Sequence, residues 1–208
     1  MRVKKWIGVL TVTSMLLTGC ATANKTATNT TNTSSQPVGT EQKQVADESY
    51  NKVKDLEKVQ AKVKRVVDGD TLVAEVKGTE KKVRMLLLDT PESVKPNEKP
   101  MKYGKEASDY TKKLLEGKSV ELVYDKGEKE DHYHRQLAYV FLDGKCVEAD
   151  ILKQGLGVVR YIKTPNTTLY DELKKVQEEA KKDKKGVWSI NGYVLEKGKE
   201  TLYSDSIK

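Results

Sequence analysis

The stretch KRVVDGDTLVAEVKGTEKKVRMLLLDTPE, residues 64–92, decides how this 208-residue chain is read. Apolar residues alternate through it as they do in β-sheet, yet it also holds Asp68, Asp70, Arg84, Asp89 and Glu92, charges that packing does not ask for. On a strand, Val83, Met85 and Leu87 fall on one face and Leu86 and Leu88 on the other. Arg84 therefore sits in a segment buried on both sides and needs an anion. Pro91 cannot donate to a ladder and restricts the residue before it, which stops the strand at Asp89 and Thr90. Asp68-Gly69-Asp70 interrupts a second apolar run. Where two such strand ends meet, oxygen donors converge with no histidine or thiolate among them, a set that favours calcium or magnesium. Asp-Gly between apolar runs is also a strong hairpin signal, so a plain turn competes with this reading. An EF-hand loop starting at Asp68 is excluded, because its fifth position would be Leu72 and its twelfth Thr79.

Outward from this stretch, the pattern predicts strands over residues 61–67, 71–77 and 81–88. A helix follows, with Ala107, Tyr110, Thr111, Leu114 and Leu115 on one face and Gly117 placed to end it. Two more strands are expected over residues 119–124 and 137–142. A helix after the third of five strands is the order of an OB-fold, a Greek-key barrel. A second helix is expected over residues 147–154, closed by Gly155. Thr168 and Asp171 have capping-box spacing and predict a third helix through Leu169, Leu173, Val176 and Ala180. The fold class expected is α+β, a five-stranded OB-fold barrel with three α-helices.

The N-terminal residues 1–20 read as an export signal: Arg2, Lys4 and Lys5 precede a mostly apolar run over residues 6–17. Those 12 residues are too few for a bilayer span, which needs roughly 20. The ending Leu17-Thr18-Gly19-Cys20 resembles a bacterial lipobox, which makes Cys20 the expected site of lipidation and places the protein outside the cytoplasm, anchored in the membrane or released as a secreted form. Cys146 then has no disulfide partner and is read as a small buried residue near a helix start. Residues 21–60 are expected to form a disordered tether, with low complexity through residue 44 and a short amphipathic helix leading in over residues 45–60. The folded domain is placed at residues 61–190 and a polar C-terminal tail at residues 191–208. Residues 61–189 hold 27 Lys and Arg against 23 Asp and Glu, a mild positive excess that suits a polyanion or solubility alike.

Seven segments resemble the staphylococcal nuclease (thermonuclease) family: VDGDT, VRMLLLDTPE, KYGKEAS, DKG, DHYHRQLAYV, LKQGLGVVRYIKTPN and GVWS. The resemblance runs over residues 62–189, 128 of the 208. It implies a monomeric calcium-dependent enzyme that hydrolyses phosphodiesters of DNA and RNA. By the same resemblance Asp70, Asp89 and the carbonyl of Thr90 would bind the metal, with Asp68 supporting them from outside. Glu92 would act as general base on water or orient it, and Arg84 and Arg135 would hold phosphate oxygens. Tyr133 and Tyr161 match positions that contact the nucleotide. Lys163 stands where the family often has a second tyrosine, and would offer charge to phosphate instead. His132 replaces a common lysine and His134 a common glycine; both are read as surface residues, not as a metal pair. Two other classes compete: a nucleic-acid-binding barrel without catalysis, and a calcium-binding surface lipoprotein. The intact set of Arg84, Glu92 and Arg135 favours the enzyme.

Overall fold

The computed structural model describes residues 48–93, 99–198, 200–204 and 207. The export signal, Cys20 and the expected tether as far as residue 47 lie outside the described residues. A short helix at residues 48–52, α1, leads into β1 (Glu57–Asp68), β2 (Thr71–Val76) and β3 (Thr79–Met85). Then come α2 (Gly104–Leu115), β4 (Ser119–Tyr124), β5 (Gln136–Leu142), the two-residue β6 (Lys145–Cys146), α3 (Val147–Lys153) and α4 (Tyr170–Lys182). The strands run β3-β2-β1-β4-β5-β6, and a parallel pairing of β3 with β5, Val83 to Gln136 through Met85 to Ala138, closes the sheet. The result is the expected five-stranded barrel of an OB-fold. Among the described residues there are four α-helices instead of three, the additional one being the entry turn α1.

Four local expectations are corrected. Among the described residues the helix foreseen over residues 45–60 stops at residue 52, because Glu57 to Lys62 pair with Tyr124 to Ser119 on β4. The folded unit accordingly starts before residue 61, with Val53 fully buried. Strand β3 ends at Met85, three residues early. Leu87 takes a left-handed φ of 56°, and the resulting turn lets Arg84 Nη1 reach the carbonyls of Met85 and Leu88 at 3.2 and 2.6 Å. The Thr168–Asp171 capping box does not form, and α4 begins after Leu169 with no side-chain cap. Thr168 instead donates from its backbone N and Oγ1 to the buried carboxylate of Asp125, at 2.9 and 2.6 Å, beside the Tyr139 hydroxyl at 2.9 Å. A buried carboxylate demanding donors outweighs a helix cap.

The segment read as a polar tail is also structured. After a 3-10 turn, η1 (Gly186–Ser189), β7 (Val194–Lys197) and β8 (Glu200–Tyr203) form an antiparallel hairpin. Tyr193 and Tyr203 join Val158 and Val187 in a second, smaller core. The main core fills the barrel and its contact with the helices: Leu72, Val83, Leu122, Tyr139, Ile151 and Leu152 are fully enclosed. Each such aliphatic side chain is worth about 1.5–3 kcal/mol on burial. One carboxyl lies in this core. Glu148 in α3 accepts from the Val140 backbone N–H at 2.9 Å and from the Cys146 thiol at 3.3 Å, and burial pushes its pKa up to about 8. Cys146 is buried as expected, its thiol held well above the ordinary range by the same desolvation.

Candidate active site

The two-residue turn between β1 and β2 presents Asp68, Gly69 and Asp70 at one end of the barrel. Glycine is required there: a Cβ at residue 69 would lie 2.6 Å from Thr90 Oγ1 and 2.9 Å from Ala107 Cβ. That close approach packs the turn against both the 89–90 segment and helix α2, whose Thr111 hydroxyl donates to the Gly69 carbonyl at 2.7 Å. Asp68 accepts from Gly69 N at 2.8 Å and from Ser93 Oγ at 2.6 Å, so it ties the turn to the residue after Glu92. Asp70 accepts from Thr71 Oγ1 at 2.9 Å, and from Thr90 N and Oγ1 at 2.9 and 3.2 Å. The two strand ends do meet. A plain turn and a functional one turn out to be the same turn.

Arg84 lies between the acids. Its Nη2 is 3.2 Å from Asp70 Oδ2 and 3.3 Å from Asp89 Oδ1, and the whole residue is 8% exposed. This is the anion that its burial called for. Asp89 pairs through its backbone with Val158, at 2.9 and 2.8 Å, and its Oδ2 accepts from Arg160 Nη1 at 2.8 Å. Burial, and then the charge of Asp70, raise the Asp89 pKa, while Arg160 and Arg84 pull it down. Glu92 follows on the same segment. Its carbonyl accepts from Met101 N at 2.9 Å, and Gly104 at the start of α2 has room for no Cβ, which would fall 2.5 Å from that oxygen.

A broad cleft opens over this floor, lined by Asp68, Asp70, Arg84, Asp89, Thr90 and Glu92. The same cleft is lined by Tyr133, Arg135, Tyr161 and Lys163. Arg135 is gripped by Asp131, which accepts from its Nε at 2.7 Å, its Nη2 at 2.7 Å and its backbone N at 3.0 Å. Burial opposes the charge on Asp131, but these donors outweigh it and hold the carboxyl below the usual range. His134 takes the left-handed φ of 58° that a glycine would adopt freely and bonds Glu130 at 2.8 Å, so the turn before Arg135 is kept. Tyr133 and Tyr161, 67% and 57% exposed, are the large apolar side chains offered to solvent among the described residues. Arg135 lies over the Tyr133 ring, and Arg84 and Arg160 lie over that of Tyr161. Lys163 is exposed and paired with Glu128 at 2.8 Å. All ten site residues expected inside the domain thus line one cleft.

Asp70 and Asp89 converge on one positive group through hard oxygens, the donor chemistry that suits calcium. Among the described residues no cluster of three or more His, Cys, Asp or Glu side chains is gathered for a metal. Two carboxylates and a carbonyl would leave several of calcium's roughly six to eight oxygen positions to water and substrate. Sequence reasoning missed Asp131, Arg160 and Tyr203, whose hydroxyl donates to the Asp89 carbonyl at 2.9 Å. Arg160 stood in a quoted motif beside Tyr161 without a role. Tyr203 lies beyond the resembling segment, and nothing local announces it.

Comparison with known proteins agrees with this geometry. The family described as Staphylococcal nuclease homologue matches residues 82–190. Thermonuclease of Staphylococcus hyicus is 44% identical over 128 residues, 62% of this chain and 75% of that protein. Endonuclease YncB of Bacillus subtilis is 42% identical over 159 residues, 76% of this chain and 74% of its own. An uncharacterized protein of Bacillus anthracis is 45% identical over 212 residues, covering 98% of this chain and 99% of its own, so the similarity extends beyond the domain. By family match, by relatives and by barrel, the chain belongs to the staphylococcal nuclease family.

Proposed function

We propose that this protein is a calcium-dependent, sugar-nonspecific nuclease that cleaves DNA and RNA to 3′-phosphate products. The observation that carries the reading is the Asp70–Arg84–Asp89 cluster, which lines one cleft together with Glu92 and Arg135. Asp70, Asp89 and the Thr90 carbonyl would hold calcium, which when bound supplies a Lewis acid against the charge of the scissile phosphate. Arg84 and Arg135 present forked donors to phosphate oxygens, and such donors stabilise a five-coordinate phosphorus more than the ground state. Glu92 accepts a proton from the attacking water or orients it. Tyr133 and Tyr161 offer rings on which any base can stack, which suits indifference to base sequence. Lys163 adds a charge for a flanking phosphate.

The enzyme works outside the cytoplasm as a monomer, anchored through lipid on Cys20 and held off the membrane by residues 21–47. The test incubates purified protein with DNA and with RNA, in calcium and then in chelator, and identifies the new ends. Cleavage of both polymers, lost on chelation and restored by calcium, is expected; cleavage that persists in chelator sinks the metal role. Mass spectrometry of wild-type protein and Cys20→Ala tests the anchor, and mature wild-type protein without lipid counts against it.

A further inference from the structure

Asp89 is approached by guanidinium from two sides. Arg84 meets Oδ1 at 3.3 Å, and Arg160 donates from Nη1 to Oδ2 at 2.8 Å. The Arg160 side chain is about a quarter exposed, its Nε is buried without an acceptor, and its ion pair is to Asp89. Arg160 is not what fixes Asp89 in place. The backbone of Asp89 is locked by the paired bonds to Val158, and the Tyr203 hydroxyl of the C-terminal hairpin adds a third at 2.9 Å. The carboxylate keeps Arg84 as well. What Arg160 adds is mainly charge, delivered to the same carboxylate that the proposed cation needs.

We propose that Arg160 is a built-in counter-cation of Asp89 that raises the concentration of divalent cation needed to fill the site. A unit positive charge a few ångströms from an incoming cation, in a partly desolvated cleft, opposes it strongly. A neutral side chain of similar reach should remove that opposition and leave the backbone of Asp89 anchored. Arg160 is thus a threshold-setting residue, distinct from Arg84 and Arg135, which face phosphate. The inference rests on the cation reading above.

The experiment is calcium titration of the full chain by calorimetry, for wild type, Arg160→Gln and Arg160→Lys, with the melting temperature of each in chelator. Arg160→Gln is expected to bind calcium about tenfold more tightly, and Arg160→Lys to stay within about twofold of wild type. If Arg160→Gln does not fold, Arg160→Met supplies the neutral variant. An unchanged or weaker affinity in a folded neutral variant overturns the inference. Equal tightening in Arg160→Lys also overturns it, since geometry and not charge would then be the cause. A wild-type chain that takes up no calcium overturns the cation reading itself, an outcome separate from either of these.

Discussion

Arg84 and Arg135 face the same cleft from regions built in different ways. Arg84 belongs to the floor: it stands on β3, bonds two carbonyls and two carboxylates, and its side chain is 10% exposed. Arg135 belongs to the rim: it sits between a loop and β5, is 26% exposed at the side chain, and depends on Asp131 alone for its ion pair. On the floor, one residue serves the fold as well as facing the cleft, because removing it takes the ion pair from buried Asp70 and leaves Asp89 with Arg160 alone. On the rim, chemistry is separable from stability. The two kinds of residue should fail differently when changed.

The largest effects test that division directly. Arg84→Lys and Arg135→Lys should each lower turnover roughly 100- to 1,000-fold, the usual loss for one preorganised donor, because lysine has no fork. Only Arg84→Lys should also lower the melting temperature, by several degrees. Turnover and thermal melts of both variants check this, and equal melting losses would break the distinction between floor and rim. Glu92→Gln comes next. It should keep the fold yet lose the proton acceptor, so its deficit should narrow as hydroxide rises with pH. A near-wild-type rate at neutral pH would remove Glu92 from the chemistry. A smaller effect is expected at Tyr133, where substitution by alanine should raise KM by several-fold and leave kcat and stability nearly unchanged. A kcat loss as large as that of Arg135→Lys would mean that the ring positions the Arg135 guanidinium as well as the base.

The same contrast explains what the sequence disclosed. Floor residues were legible because they violate their surroundings: an arginine and four acids inside apolar alternation have few bland explanations. Barrel strands β2, β4 and β5 were legible from period and turn signals, with ends within one residue. The early end of β3 was not, since four apolar residues after Arg84 continue the pattern and only the tertiary demand of the guanidinium bends Leu87. Thr168 misled for a similar reason: its partner, Asp125, lies 43 residues away. The C-terminal hairpin was missed because its worth lies in two tyrosines that reach back to the 89–103 region, through Tyr203 to Asp89 and Tyr193 to Lys102.

A buried carboxyl away from the cleft gives the smallest expected effect on turnover, none, and the clearest effect of pH on stability. Asp89 shares its burial with two guanidinium partners, whereas Glu148 has a backbone N–H and a thiol. Its pKa stands at about 8 in the fold, against 4.5 for the unperturbed group. Between those values the folded chain holds a proton that the unfolded chain has lost. Stability is therefore full below about pH 4.5, falls as pH rises toward 8, and levels above it, at up to about 1.4 kcal/mol per pH unit for one proton. Glu148→Gln keeps an oxygen for Val140 N–H and carries no proton to lose. The variant should match wild type in acid and exceed it above pH 8 by several degrees in melting temperature, with unchanged turnover. Parallel melting curves of the two proteins from pH 4.5 to 9 would show that Glu148 is not held neutral, and that burial alone does not separate it from the acids of the floor.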